Sequence, residues 1–267
     1  MFLWYNNIEV SAVELIRITA KNLEREHICC AIAGSKDVSV RSKKAWLSQM
    51  FEDGLVFLKG NVRGKCFIEY LPAESAWMPV EAPGYMFIDC LWVSGRYKGH
   101  GYSNLLLEEC IRDSRAKGKS GLCVVAATPK KPFLSDPKYL AYQGFQRADT
   151  AEPYFELWYL PFAEQSPIPR FCPQVKHPQI DEDGFVLYYT RQCPFTAKYV
   201  PLLAQRAEEL GAPFQSFLLD SREAARSAPT AVTNFALFYN GHFVTHEILS
   251  VKKFEALVEA QREEAFP

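Results

Sequence analysis

The 267-residue chain is predicted to adopt an α/β fold (more strictly α+β), with a mixed central sheet followed by a second, smaller α/β unit. One observation is an apolar strand, a loop with two glycines and an amphipathic helix, in that order, near residue 100. The other is a proline-rich stretch near residue 170, after which strands and helices alternate again. These observations divide the chain into a first unit at 1–162, a linker at 163–184 and a second unit at 185–267.

The elements of the first unit follow from apolar periodicity and turn residues. In chain order the predicted elements are a strand at Glu14–Thr19, helices at Asn22–Ile32 and Lys43–Glu52, a hairpin of Leu55–Leu58 with Cys66–Tyr70, and an irregular segment at Leu71–Gly84. After these come the central strand Met86–Val93, a helix at Asn104–Arg112, a strand at Leu122–Ala127, a short helix opened by Asp136-Pro137, and a strand at Tyr154–Leu160. This order places one strand–loop–helix segment at the middle of the sheet.

Composition excludes several classes of protein. The net charge of −1 argues against nucleic acid as the main partner, and no apolar run is long enough to span a membrane. The start Met1–Tyr5 is apolar but short and lacks a basic region, so no signal peptide is predicted. The eight cysteines are scattered, and three of them (Cys66, Cys90 and Cys123) fall in predicted core strands. This distribution indicates reduced thiols and a cytoplasmic protein.

The loop between the central strand and its helix has the chemistry of an anion site. Gly99 and Gly101 stand at alternate positions, where they let the backbone turn its N–H groups inward. The start of the helix adds unpaired N–H groups and the positive end of the helix dipole. A phosphate is the most natural ligand for such a loop.

The spacing of the glycines distinguishes the known classes of phosphate-binding loop. A plain glycine turn without a ligand stays open as an alternative. A dinucleotide loop would need a third glycine where Asn104 stands. The triplet Gly118-Lys119-Ser120 follows the helix, and Asp113 holds the place of the upstream glycine of a P-loop. That triplet is better interpreted as a helix C-terminal cap.

The pattern Arg-x-x-Gly-x-Gly, after a strand ending in Val93, resembles the acetyl-CoA loop of the GNAT superfamily of N-acetyltransferases. The pair Gly144-Phe145, one short helix after the next core strand, resembles a second signature of that family. The resemblance extends over about the first 160 residues and implies the GNAT acyl-CoA N-acyltransferase fold.

The resemblance also implies acetyl-CoA as cosubstrate and suggests which residues bind it. The pyrophosphate would lie against the loop, formed by Arg96, Lys98, Gly99, His100, Gly101, Tyr102 and Ser103. The pantetheine arm would lie between two splayed strands, against Leu91, Trp92 and Val93 on one side and Ala126, Ala127 and Thr128 on the other. The side chain of His100 is expected to point to solvent.

Asp89 is the candidate general base, because the family often carries an acidic residue at this place on the central strand and an apolar setting would raise the pKa of its carboxyl. An Asp on the exposed face of the strand is the alternative. The family usually has a tyrosine general acid four residues before Gly-Phe, and here Leu140 stands there. Tyr139 and Tyr142 flank it and are the candidate substitutes, with packing of the short helix as the alternative role for each.

The second unit also has a clear order of elements. The predicted elements are a strand at Phe185–Thr190, a helix that starts near Cys193 and ends at Leu210 before Gly211, a strand at Phe214–Leu219, a hairpin of Phe235–Tyr239 with His242–Thr245 around Asn240-Gly241, and a helix at Val251–Gln261 capped by Ser250. This βαβ–ββα order, with Cys193-Pro194-Phe195-Thr196 at the first helix start, resembles a small thioredoxin- or glutaredoxin-like domain. Together with stretches such as His27-Ile28-Cys29-Cys30 and Lys131–Tyr139, the whole chain resembles the YoaP-like acetyltransferases.

Cys193 is a candidate thiol site, because N–H groups and the dipole at a helix start favour the thiolate. A dithiol site would need cysteine at Thr196, so any such site is monothiol. Substrate presentation or the formation of a homodimer are the alternative roles of this unit. Cys29 and Cys30 are candidates to line the acceptor site, with simple burial as the alternative.

The function predicted from the sequence is transfer of an acetyl group from acetyl-CoA to an amine of a small molecule or peptide. The alternative is a thiol-binding or monothiol redox or interaction protein, whose first unit binds CoA but is weakly catalytic. No metal site is predicted, because Cys172 and His177 in the linker are only two ligands.

Overall fold

The computed structural model describes residues 13–31 and 33–265, with side chains through residue 262. The apolar start Met1–Tyr5 lies outside the described residues. Within the described part, no helix has the length and apolar character that a membrane span requires.

The helices of the described chain are α1 (Val38–Met50), α2 (Tyr102–Ala116), α3 (Pro137–Tyr142), α4 (Pro194–Leu210), α5 (Arg222–Arg226) and α6 (Val251–Ala265). The strands are β1 (Leu15–Ile18), β2 (Val56–Gly60), β3 (Cys66–Pro72), β4 (Val80–Glu81), β5 (Tyr85–Val93), β6 (Gly121–Ala127), β7 (Gln146–Ala151), β8 (Phe155–Pro161), β9 (Arg170–Phe171), β10 (Phe185–Tyr189), β11 (Phe214–Leu218), β12 (Phe235–Tyr239) and β13 (His242–Thr245).

The main sheet has seven strands in the order β1-β2-β3-β5-β6-β8-β7. Strands β5 and β6 run parallel, and the other neighbours run antiparallel, so the mixed α/β architecture predicted from the sequence is present. The parallel pair is joined only where Tyr85–Phe87 faces Gly121–Cys123. Beyond that point the two strands separate, and a gap opens in the middle of the sheet.

The two faces of this sheet carry different layers, because side chains along a strand alternate between faces. One face packs against α2, which buries Leu106, Leu107 and Cys110. The other face packs against α1 and against residues of the second unit, including Ala231 and Val232. The second unit therefore shares the larger hydrophobic core of the first.

The second sheet has the order β11-β10-β12-β13, with β10 and β11 parallel and the other pairs antiparallel. Hydrogen bonds join this unit to the first. The Thr233 hydroxyl donates to the Trp77 carbonyl at 2.6 Å, and Arg226 donates to the Val80 carbonyl at 2.9 Å. Its position on the first unit is thus set by polar contacts as well as by the shared core.

The helix predicted at Asn22–Ile32 is wrong for the residues described there; Ile32 itself lies outside them. The segment forms successive turns, beginning where Thr19 N–H donates to Asn22 Oδ1 at 2.7 Å. Ile28, Cys29, Cys30 and Ala31 are buried consecutively. A surface helix buries only one face, so the packing of four neighbours in a row favours an irregular path.

The segment predicted as a linker is instead packed. Its strand β9 pairs with β4, and Phe171 and Val175 are buried in the larger core. Proline-rich sequence shows that a segment lacks regular periodicity, but not that it is unpacked. Strand β7 and helix α5 have no counterpart in the sequence prediction.

Candidate active site

Asp89 lies at an irregularity in the central strand. In the pairing of β3 with β5, Glu69 faces Cys90 and Tyr70 faces Ile88, so Asp89 is an extra residue without a partner. Such a bulge bends its strand and redirects a side chain. Here it directs Asp89 into the cavity that begins where β5 and β6 separate.

Asp89 belongs to a buried cluster of charges. Lys43 on α1 is 2% exposed and pairs with Glu69, which is 1% exposed, at 2.6 Å. Trp46 donates to the same carboxylate at 3.3 Å. Because one ammonium faces two carboxyl groups, ionised Asp89 leaves the cluster with a net negative charge.

The pKa of the Asp89 carboxyl is raised well above its usual range. Burial is the largest cause, the charge of Glu69 adds to it, and Lys43 and the Gln192 side chain act in the opposite direction. For Lys43, burial lowers the pKa, but the charges and hydrogen bonding around it, chiefly from Glu69, leave that pKa raised. The cluster therefore contains a stable ion pair beside a carboxyl that binds and releases its proton at a higher pH than is usual for Asp.

The second unit reaches this cluster through the loop between β10 and α4. Lys43 Nζ donates to the Gln192 backbone carbonyl at 2.7 Å, and the Gln192 side chain lies close enough to Asp89 to act toward a lower pKa of its carboxyl. Gln192 and Cys193 line the same cavity as Asp89. One cavity of about 610 Å³ thus joins both units.

Cys193 precedes α4, as predicted, but its thiolate is not favoured. Burial raises the pKa of the Cys193 thiol to about 11, although the Phe195 N–H at the helix start acts to lower it. Cys30 and Cys90 line the same cavity, and burial raises the pKa of each. Among the described residues, no group of three or more His, Cys, Asp or Glu side chains has the geometry of a metal site.

The glycine loop has the backbone that an anion site requires. Gly99 and Gly101 have φ values of 79° and 75°, and a Cβ at either would project into open space. Gly101 is the N-cap of α2, whose first turn carries no acidic residue. Lys98 and Ser103 line the cavity, and His100 is exposed, as expected.

The predicted cofactor residues fall into two groups. Leu91, Trp92 and Val93 on β5 line the cavity. Ala127 and Thr128 do not: Ala127 is fully buried, and the Thr128 hydroxyl donates to Glu156 at 3.0 Å. Ala127 is covered by its own neighbours, and Thr128 is exposed just beyond the end of β6, so neither residue lines this cavity.

The two candidate acids also differ. Tyr139 lines the cavity, donates to Asn104 at 3.3 Å, and has its pKa raised to about 12 by burial. Tyr142 is 81% exposed and does not line the cavity, because α3 packs Leu140 inward. Tyr142 is therefore wrong as a candidate acid, and Tyr139 remains.

Among the cavity residues that were not predicted from the sequence are Lys43, Glu69, Gln192 and His246. His246 is 1% exposed; its Nε2–H donates to the Pro132 carbonyl at 2.9 Å, so Nδ1 accepts from the Tyr154 hydroxyl at 2.8 Å. Charged residues in predicted amphipathic elements were the available signal for Lys43 and Glu69, but nothing local indicated that they face one another.

Comparisons with known proteins identify the family of the chain. The model of the YoaP-like family matches residues 213–256, within the second unit. The protein described as uncharacterized N-acetyltransferase YoaP, from Bacillus subtilis (strain 168), is 45% identical over 244 residues, which are 91% of this chain and 97% of that relative.

Two solved structures are similar to part of the chain. A GNAT family acetyltransferase from Brucella melitensis, in complex with acetyl-CoA, is 17% identical and covers 58% of this chain and 92% of its own, with a TM-score of 0.37. The GNAT family N-acetyltransferase YhbS from Escherichia coli, in complex with CoA, is 13% identical. The match covers 60% of this chain and 91% of that protein, also with a TM-score of 0.37. These scores are too low to carry an argument about function.

Proposed function

The chain belongs to the YoaP-like N-acetyltransferases, and we propose on that basis that it transfers the acetyl group of acetyl-CoA to the amine of a small molecule or peptide. The observation that carries the proposal is the placement of Asp89. A strand bulge presents a carboxyl of raised pKa to a cavity that is also lined by Lys98 and Ser103 of the phosphate-type loop.

The residues present fit acetyl-CoA as cosubstrate. The open space beside Gly99 and Gly101 and the N–H groups of the first turn of α2 would hold the pyrophosphate. Leu91, Trp92 and Val93 would border the pantetheine arm. When bound, acetyl-CoA supplies an activated acetyl thioester and leaves as the CoA thiol.

Asp89 would take a proton from the acceptor ammonium, which leaves the nitrogen lone pair free to form the new N–C bond. The raised pKa suits this role, because a base is most effective when its pKa lies near the working pH. Tyr139 stays protonated at neutral pH and is the remaining candidate donor to the leaving sulfur. Per turnover, an ammonium and an acetyl thioester give an amide, a thiol and one released proton.

The second unit is proposed to be thioredoxin-like. The β10-α4-β11-α5-β12-β13-α6 order and the sheet order β11-β10-β12-β13 support this proposal, as does the cysteine at the start of α4. A cytoplasmic location is part of the same proposal, supported by the eight free thiols. A homodimer stays a prediction.

The test compares CoA binding by calorimetry in wild type and Gly101→Val. The branched side chain would enter the phosphate space, and affinity should fall at least tenfold, or about 1.4 kcal/mol. Gly118→Val is the matched control, since Gly118 has a similar φ of 67° at the other end of α2 and open space around it. Strain is common to both variants, so only Gly101→Val should lose CoA.

Unchanged CoA affinity in folded Gly101→Val would overturn the loop assignment. Release of free CoA with a panel of amines, compared with activity on glutathione or disulfides, separates acetyl transfer from the thiol-binding alternative.

A further inference from the structure

Two residues from different units, Asp89 and Gln192, line the same cavity, and each carries a buried acceptor atom. Gln192 is only 4% exposed, and its Oε1 is buried without a hydrogen-bond partner among the described residues. Asp89 Oδ1 is likewise buried and unpartnered within the described chain. Buried polar atoms are nearly always hydrogen-bonded in folded proteins, so two such atoms on residues that line one cavity point to a ligand that donates to both.

The ligand that satisfies these two atoms must be a donor and is best a cation. A carboxylate oxygen and an amide oxygen only accept hydrogen bonds. Ionised Asp89 also leaves the Lys43–Glu69–Asp89 cluster with a net negative charge, which a positive ligand would neutralise.

We propose that Gln192, supplied by the second unit, binds the acceptor amine together with Asp89 and selects primary amines over tertiary ones. This inference rests on the proposed function. A primary ammonium donates one N–H to Gln192 Oε1 and another to Asp89 Oδ1, whereas a tertiary ammonium has one N–H and cannot satisfy both.

The acceptor class follows from the remaining walls. The cavity is also lined by apolar residues that include Met78 and Phe87 from the first unit and Val232 and Ile248 from the second. Such walls favour a largely apolar body attached to the amine. The acceptor is therefore a small primary amine on an apolar carbon skeleton.

The test uses two probes of equal charge and nearly equal shape, phenethylamine and N,N-dimethylphenethylamine. Calorimetry gives their affinities for the full chain saturated with CoA, in wild type, Gln192→Met and Gln215→Met. Methionine matches glutamine in length and removes the acceptor, and the backbone carbonyl that pairs with Lys43 is kept. Gln215 is exposed on β11 and serves as the matched control.

Wild type should bind phenethylamine about tenfold or more tightly than its dimethyl derivative, since hydrogen bonds to charged groups are the strong ones. The ratio should fall to within about threefold in Gln192→Met and stay unchanged in Gln215→Met. Comparing the affinities of both probes for wild type and for the two variants isolates the contribution of the contact between the ammonium and Gln192.

Equal binding of the two probes to wild type, no binding of either, or an unchanged ratio in Gln192→Met would overturn the inference. Should Gln192→Met not fold, equal binding of the two probes to wild type would still overturn the inference. Failure of CoA itself to bind wild type counts against the proposed function instead, so the two failures are distinguishable.

Discussion

Replacement of Asp89 by asparagine should lower activity and raise stability at the same time. The substitution keeps shape and volume and removes the ability to take a proton. It also removes the surplus negative charge beside Glu69, which burial and that neighbour make costly. A carboxyl that is present for catalysis predicts that Asp89→Asn raises stability, whereas a carboxyl that is present for stability predicts that it lowers stability.

The expected fall in kcat is about 10²- to 10⁴-fold, the usual contribution of a positioned general base, or ~3–5 kcal/mol in the barrier. For stability, the folded-state pKa of Asp89 is raised, so the native state binds more protons than the unfolded state. The cost of the charge therefore grows as pH rises above the ordinary carboxyl pKa. Removing even ~1 kcal/mol of it would raise Tm by about 2–4 °C in a chain of this size.

Initial rates of CoA release across pH measure the first effect, and thermal unfolding at pH 8 and pH 4.5 measures the second. Wild-type kcat should rise with pH through the raised pKa of Asp89, and the gain in Tm should shrink at the lower pH. Asp113→Asn is the matched control. Burial opposes ionisation of Asp113, but hydrogen bonds from Lys117 and Tyr70 lower its pKa, so that variant should lose stability and keep its rate.

Retention of wild-type kcat and pH profile in Asp89→Asn would refute the role of the carboxyl as base. A loss of more than about 1 kcal/mol in stability would show instead that the ionised carboxylate is needed for packing of the cluster.

Three further outcomes follow from buried groups. Lys43→Met leaves Glu69 without its cation and should cost about 3–5 kcal/mol in urea unfolding, with most of the loss recovered when Glu69→Gln is added; a cost under ~1 kcal/mol would contradict a buried pair. Burial lowers the pKa of His246, so the free energy of unfolding should fall as pH drops below about 6.5, and His246→Gln should flatten that slope; equal slopes would argue against it. Alkylation of Cys193, followed by peptide mapping, should keep accelerating about tenfold per pH unit toward pH 10, because its pKa is about 11; a plateau near pH 8 would contradict that value.

Local sequence signals predicted much of the fold. Asp136 caps α3 by accepting from Lys138 N–H at 3.0 Å, Gly211 ends α4 with a φ of 62°, and Asn240-Gly241 turns between β12 and β13. Each signal needs only a few neighbouring residues to act. The N-acetyltransferase class predicted from the glycine loop is likewise confirmed by the family of the chain.

The active-site cluster could not be predicted in the same way, because its contacts are long-range. Lys43 and Glu69 are 26 positions apart, and Lys43 and Gln192 are 149 apart. The unpartnered position of Asp89 depends on the register between β3 and β5, which no local pattern sets. The failed helix near Asn22 has the same origin, since tertiary burial overrode helical propensity there.

The shared core explains why the second unit matters for the chemistry of the first. The raised pKa of Asp89 depends mostly on burial, and the β10–α4 loop supplies part of the enclosure through Gln192. Lys43 is held between Glu69 and the Gln192 carbonyl, so the ion pair that sets the field at Asp89 is itself anchored across the two units. Without that loop, water would reach the cluster and the carboxyl would return toward its ordinary pKa. A unit whose core merges with that of its neighbour, and whose backbone accepts a hydrogen bond from the buried lysine, is thus a structural part of the candidate active site rather than a tethered module.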